Sequence, residues 1–136
     1  MGLCRDHEGS ILLVRTSTIS AVQLFWDEIK AALMACRMAE DAQWLSVYFE
    51  GDALNACSAI IQNGKDVEGY LVADCKVCHD ILSLHPNWNL TWVPRKRNCL
   101  AHKIAKWAVQ TRRSGSIAAA DIPPFILNCD WLYKPP

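Results

Sequence analysis

The spacing of apolar and polar residues predicts a β-hairpin followed by a long helix in the first third of the chain. Two short apolar runs flank a polar, glycine-containing turn at residues 5–10, and the first of these runs is barely long enough to form a strand. Residues 21–42 predict the helix, because alanines and larger apolar residues recur there at helical spacing. The alanines form a stripe of small side chains, which would let this helix lie close to a sheet.

The same reasoning predicts alternating strands and helices through the rest of the chain. The predicted elements are a strand at 45–49, helices at 53–62 and 68–84, a strand at 88–93 and a helix at 97–111. The order β-β-α-β-α-α-β-α favours an α/β fold with a partly parallel sheet flanked by helices. We therefore expect a domain over residues 1–113 and a proline-rich C-terminal tail over residues 114–136.

Composition is that of an ordinary globular protein, with 136 residues of which 51% are hydrophobic. No apolar run approaches the roughly 18 residues of a membrane span, and no apolar leader follows Met1. The seven cysteines are an odd number, which favours free thiols in a reducing compartment. We expect an intracellular protein, cytoplasmic or nuclear, without a signal peptide or a membrane partner.

The formal net charge is zero, but the charges are unevenly distributed. Residues 1–94 carry 12 acidic and 6 basic side chains, whereas residues 95–113 carry seven basic side chains and no acidic one. Such a local field would attract phosphate groups. The alternative is an ordinary solvated helix face. The seven basic residues are Arg95, Lys96, Arg97, Lys103, Lys106, Arg112 and Arg113.

Two carboxylates occupy positions where sites in α/β proteins often form. Asp52 follows the predicted strand at 45–49, and Glu28 lies near the beginning of the long helix. Two carboxylates on neighbouring elements can share divalent metal ions, and Mg²⁺ prefers such hard oxygen ligands. Asp52 would serve equally well as the N-cap of the helix that follows it. Spacing alone leaves both interpretations open.

Four features in chain order resemble the plant ribonuclease H-like family. They are Arg-Asp-His-Glu-Gly-Ser at 5–10, an acidic residue opening an Ala/Leu-rich helix, Phe-Glu-Gly-Asp at 49–52, and Val-Pro-Arg-x-x-Asn-x-x-Ala-His-x-x-Ala-Lys at 93–106. Similar domains end the reverse transcriptases of non-LTR retroelements and occur as separate plant proteins. The resemblance covers about residues 2–130. It implies the ribonuclease H fold and Mg²⁺-dependent cleavage of RNA in RNA–DNA hybrids.

The resemblance also implies which residues form the site. The family uses four metal-binding carboxylates, often with a helper histidine, and Glu28 and Asp52 match the second and third carboxylates. His102 occupies the position of the fourth carboxylate, and Trp92 occupies that of the helper histidine. The first carboxylate lies on a central first strand, which we expect to be missing from this chain.

This substituted set predicts weak or absent catalysis. Glu28 and Asp52 would neutralise only two of the four positive charges of a two-metal centre, and a neutral His102 suits Zn²⁺ or Mn²⁺ better than Mg²⁺. We expect a degenerate, nucleic-acid-binding relative with RNA–DNA hybrid as its partner. One alternative is a non-catalytic structural or protein-interaction remnant of a retroelement-derived domain, and another is a longer chain that supplies the first strand. The predicted nucleic-acid contacts are Arg95, Lys96, Arg97, Asn98, Lys103 and Lys106.

Two further signals allow competing interpretations. Residues 75–79 have the Cys-x-x-Cys-His spacing of haem attachment, but they fall inside a predicted helix, so we expect structural cysteines and neither haem nor zinc. Trp92 lies beside the basic run and could stack on a base or sugar. Packing within the protein is the alternative for Trp92.

Overall fold

A computed structural model describes residues 2–16 and 24–128 of the chain. They form two compact units, a central unit (Ser20–Val93) and a terminal unit (Met1–Ile19 with Pro94–Pro136). The elements in chain order are β1 (Gly2–Arg5), β2 (Ile11–Thr16), α1 (Leu24–Asp41), β3 (Val47–Gly51), α2 (Leu54–Ile61), α3 (Leu71–Leu84), β4 (Trp88–Trp92), a 3₁₀ turn (Arg95–Asn98), α4 (Cys99–Gln110), β5 (Gly115–Ile117), a second 3₁₀ turn (Ala119–Asp121) and α5 (Pro124–Leu127).

The central unit is built on the parallel strand pair β3 and β4, as the sequence predicts. Val47 lies opposite Trp88, and Gly51 lies opposite Trp92. Side chains alternate across the pair, so Phe49 and Trp88 join one core with residues of α1, α2 and α3, whereas Tyr48 is exposed. The rings of Phe49 and Trp88 meet edge to face, with their centroids 5.6 Å apart. This packing fixes the position of the carboxyl ends of both strands.

Cysteines contribute to the same core. Cys36 of α1 lies with Cys75 and Cys78 of α3 among the buried residues, and Cys78 donates a hydrogen bond to Cys36. That hydrogen bond lowers the pKa of Cys36 and raises the pKa of Cys78. The Cys-x-x-Cys-His motif lies within α3, and its two cysteines have the structural position that the sequence predicts. His79 Nδ1 lies 3.0 Å from the carbonyl oxygen of Ile60, which links α3 to α2.

The terminal unit contains the predicted hairpin. β1 pairs antiparallel with β2, and Asp6 Oδ1 holds the turn by accepting hydrogen bonds from the backbone N–H groups of Glu8 and Ser10, both at 2.9 Å. β5 adds to the other edge of β2, giving the strand order β1-β2-β5. Helix α4 packs its apolar side on this sheet. The buried residues of this core are Val14, Leu100, Ile104, Ala108, Ile117, Ile122 and Ile126.

Several boundaries differ from the sequence prediction. The strand expected at 45–49 begins at Val47 and continues to Gly51, and Leu45 is 88% exposed. The reason is a tight turn after α1, in which Gln43 takes a positive φ of 55° and the N–H of Trp44 bonds the carbonyl of Ala39. The helix expected from residue 97 begins at Cys99, after a 3₁₀ turn.

Residues 114–136, predicted as a tail, include β5, the second 3₁₀ turn and α5, none of which the sequence pattern predicted. Ile117, Ile122 and Ile126 bury their side chains there, and Pro123 and Pro124 begin α5. Residues 129–136, which include Trp131, lie outside the described part. Within the described ranges, no helix has both the length and the apolar character needed to cross a membrane. The predicted mixture of α-helices with parallel and antiparallel strands is confirmed.

Candidate functional site

Asp52 is held at the carboxyl end of β3 by a close contact between the strand and helix α2. A Cβ atom on Gly51 would lie 2.8 Å from Cys57 Sγ, so only glycine fits between β3 and α2 at this position. The thiol of Cys57 donates a hydrogen bond of 3.8 Å to the carbonyl oxygen of Gly51. The Glu-Gly-Asp segment therefore leads directly from the strand into the turn before α2.

The Cys57 thiol links the two predicted carboxylates. Burial raises the pKa of this thiol to about 11, and the negative charges of Glu28 and Asp52 contribute to the rise. Both carboxylates therefore act on the same point of the central unit, although Glu28 belongs to α1 and Asp52 follows β3. Cys57 is one of the seven cysteines of the chain. No sequence signal marks it, because its role depends on the spatial approach of α2 to Gly51.

The interpretation of Asp52 as a helix N-cap is wrong. Ala53 occupies the N-cap position of α2, and its side chain forms no capping hydrogen bond. In the first turn of α2, Asn55 Oδ1 accepts a hydrogen bond from the N–H of Ala56 at 3.0 Å. Asp52 lies one residue before the N-cap and directly after the last residue of β3.

Trp92 ends β4 and contacts the backbone of Asp52. In the parallel register it lies opposite Gly51, and its indole N–H donates a hydrogen bond of 3.1 Å to the backbone carbonyl of Asp52. The next residue, Val93, donates its N–H to the carbonyl of Gly51 at 2.9 Å. The Trp92 side chain is 44% exposed, so packing within the protein accounts for only part of its surface.

The predicted nucleic-acid contacts belong to the terminal unit. Arg95, Lys96 and Arg97 form the 3₁₀ turn after Pro94, and all three are exposed. Lys103 and Lys106 are exposed on α4, and a separation of three residues puts them on the same side of the helix. These five residues are called the basic surface below.

The remaining polar residues of the last motif are less exposed. Asn98 ends the 3₁₀ turn and His102 lies in the first turn of α4, and both are half-buried. Arg113 follows α4 and has partners of its own, with its guanidinium 3.9 Å from Asp121 and 5.2 Å from the centre of the Trp107 ring. Glu28 and Asp52 both belong to the central unit, where their charges act on the Cys57 thiol, and His102 belongs to the terminal unit.

The donor groups do not fit a two-metal centre. Glu28 and Asp52 are hard oxygen donors of the kind that Mg²⁺ prefers, but they neutralise only half the charge of two divalent ions. Their neighbour Cys57 supplies a soft sulfur atom, which is not a ligand that Mg²⁺ prefers. Among residues 2–16 and 24–128, no three His, Cys, Asp or Glu side chains form a group that could hold a metal ion.

Comparison with known proteins gives one family. A family model described as reverse transcriptase-like matches residues 1–108, which is most of the chain. No curated protein and no solved structure matches the chain.

Proposed function

The chain belongs to the reverse transcriptase-like family of ribonuclease H-like domains, and on this premise we propose that it binds RNA–DNA hybrid duplexes without cleaving them efficiently. The family gives a nucleic-acid-related function. The family match alone does not specify RNA–DNA hybrid as the partner, the loss of cleavage or a plant retroelement origin. The four sequence motifs at residues 5–10, at the beginning of the long helix, at 49–52 and at 93–106 support the plant retroelement origin.

The basic surface is the observation that carries the proposal. Five exposed cations follow one another on a 3₁₀ turn and on one side of α4, and no acidic residue lies between residues 95 and 113. Lysine and arginine side chains that meet phosphates release condensed counterions, and this release drives binding. Phosphate contacts position a protein on a duplex without reading its sequence. A protein that binds through such a basic surface recognises the backbone and shape of a nucleic acid.

The weak catalysis follows from the carboxylates. Glu28 and Asp52 match two of the four carboxylate positions, but the fourth family position holds His102, whose imidazole adds no negative charge when neutral. The ribonuclease H reaction needs two divalent ions to activate water and stabilise the leaving oxygen. Two carboxylates attract such ions far less strongly than four. We therefore propose that Glu28 and Asp52 keep the geometry of the family site and supply little of its chemistry.

Binding of a fluorescently labelled RNA–DNA hybrid, measured by anisotropy at several salt concentrations, tests the first part. The logarithm of the affinity should fall linearly with the logarithm of the salt concentration, and replacing Lys103 and Lys106 together by glutamine should reduce the slope by about 2. Lys65 and Lys76 are exposed lysines of the central unit, and their replacement by glutamine is the matched control. Binding that ignores salt, or no binding, would favour the structural or protein-interaction alternative.

Cleavage of the same hybrid in Mg²⁺ tests the second part. The parent chain should cleave no faster than a double variant, Glu28→Gln with Asp52→Asn, that keeps the shape of both side chains and removes their charge. Rapid cleavage by the parent that disappears in Asp52→Asn would show that the remaining carboxylates suffice. The binding assay serves as the control for folding, because the basic surface is unchanged in this variant.

A further inference from the structure

We infer that the indole ring of Trp92 is a stacking platform for an unpaired nucleobase, so that the chain prefers hybrids carrying a single-stranded extension. This inference rests on the proposed function and names its substrate more closely. It concerns a residue that stands where the family resemblance expects a histidine.

A hydrogen bond holds the ring in place. Its N–H donates to the carbonyl oxygen of Asp52 at 3.1 Å, and this hydrogen bond ties the end of β4 to the residue that follows β3. Gly51, the cross-strand partner of Trp92, has no side chain to cover the ring. The result is a ring of fixed position in a residue that is 44% exposed.

The chemistry of the exposed part favours a base over other ligands. The N–H is the one polar atom of an indole and it already has a partner, so the exposed part is apolar and aromatic. The ring carries no charge and its one donor is bonded to the carbonyl oxygen of Asp52, so it offers no group that would bind a phosphate. A flat, uncharged aromatic base satisfies both conditions, and stacking on an aromatic side chain is tolerant of base identity.

The base has to be unpaired. Bases inside a duplex are stacked on both faces, and side chains stack on RNA bases in loops, bulges and ends, where the bases are splayed out. A single ring at the end of a two-stranded sheet would therefore contact a base in a single-stranded extension. The basic surface supplies the phosphate contacts in the proposed function, and Trp92 supplies the preference among substrates.

The test compares the affinities of a blunt hybrid and of the same hybrid with a single-stranded extension of about four nucleotides. The parent should bind the extended hybrid about tenfold more tightly, as expected for one stacked base. An extension without bases should bind like the blunt hybrid. The measured quantity is the ratio of the two affinities, which a general loss of binding leaves unchanged.

Three variants separate stacking from a structural role. Trp92→Ala should reduce the ratio to about one. Trp92→Phe keeps an aromatic ring but loses the hydrogen bond to Asp52, and it should keep most of the ratio. Tyr48→Ala is the matched control, because Tyr48 is an aromatic residue of β3 with a 58% exposed side chain, and it should leave the ratio unchanged.

Each remaining outcome counts against the inference. A parent that binds the blunt hybrid in a salt-dependent way but shows no preference for the extension would overturn the role of Trp92 and leave the proposed function standing. If Trp92→Phe and Trp92→Ala reduce the affinity ratio equally, the hydrogen bond to Asp52, rather than stacking, produces the preference for the extended hybrid. A parent that binds neither hybrid would overturn both proposals. If Trp92→Ala does not fold, two measurements still test the stacking of a base on Trp92. They are the affinity of the parent for the base-free extension and the affinity ratio of Trp92→Phe.

Discussion

The two units of the molecule carry opposite charge. The central unit has ten acidic and four basic side chains, whereas the terminal unit has four acidic and ten basic side chains. A net charge of zero therefore hides two regions with distinct electrostatic character. The carboxylates of the candidate site lie in the acidic unit, and every residue of the basic surface lies in the other. The acidic central unit therefore contains the residues of the proposed cleavage chemistry, and the basic terminal unit contains the residues of the proposed phosphate contacts.

The two cores also differ in chemistry. The core of the central unit combines aromatic rings with thiols, which include Cys36, Cys75 and Cys78, around a parallel strand pair. The core of the terminal unit is mainly aliphatic and lies under an antiparallel sheet. Buried thiols titrate at alkaline pH and aliphatic side chains do not, so the stability of the central unit should depend more strongly on alkaline pH than that of the terminal unit. This contrast can be tested directly.

The largest effect is expected from Trp88→Ala in the central unit. Trp88 is buried, contacts Phe49 edge to face, stacks on His85 with ring centroids 3.8 Å apart, and donates its N–H to the carbonyl of Trp44. Removing a buried tryptophan costs about 3–5 kcal/mol, which is a large part of the stability of a domain. Hydrogen exchange of the β3 and β4 amides should become much faster. Unchanged protection would mean that this ring does not organise the core.

The sequence predicted the frame of both units but little of what holds the site together. The hairpin, α1, α3 and the parallel pair follow from periodicity and from turn residues, which are local signals. β5 and α5 are three and four residues long, too short for periodicity to show. The contact between Gly51 and Cys57 depends on how closely α2 approaches β3, and no spacing in the sequence encodes that distance.

The next effect concerns that contact. Gly51→Ala would place a Cβ atom 2.8 Å from Cys57 Sγ, so the Cys57 side chain, the strand or the helix must move, at a cost of about 1–3 kcal/mol. Cys57→Ala removes the sulfur and should restore part of the lost stability in the double variant. Denaturant unfolding of the parent, both single variants and the double variant gives the coupling energy. If the losses of unfolding free energy in the two single variants simply add in the double variant, the side chains at positions 51 and 57 are not in contact.

A smaller effect is expected from pH. The pKa of Cys57 rises from its ordinary value of 9.0 to about 11 in the folded chain, because the thiol is buried and faces Glu28 and Asp52. Folding therefore favours the protonated thiol. This stabilisation is complete below pH 9 and is lost as the pH rises from about 9 to about 11, by about 2 kcal/mol in total.

Cys57→Ala provides the comparison for the pH effect. Between pH 9 and 11 the parent should lose more unfolding free energy than the variant, and the difference isolates Cys57 from Cys75 and Cys78, whose pKa values are also raised. Equal pH dependence of the two proteins would contradict the prediction. The same series with Val14→Ala, in the aliphatic core of the terminal unit, should show the parent's pH dependence because no thiol is removed.

The smallest effect separates two ion pairs, one in each unit. Lys30 Nζ lies 2.7 Å from Asp74 Oδ2, the Asp74 side chain is largely buried, and the lysine also lies 5.6 Å from the centre of the Trp26 ring. Arg113 and Asp121 are 3.9 Å apart and both are about half exposed, so water and salt screen them more strongly. Double-mutant cycles with alanine should give a coupling energy of about 1 kcal/mol for the first pair and nearly none for the second.

The coupling of Lys30 with Asp74 should also persist at high salt, since a partly buried pair is screened less. A larger coupling energy for Arg113 with Asp121 than for Lys30 with Asp74 would mean that solvent exposure does not set the strength of these ion pairs. The two units would then differ electrostatically only in their numbers of acidic and basic side chains.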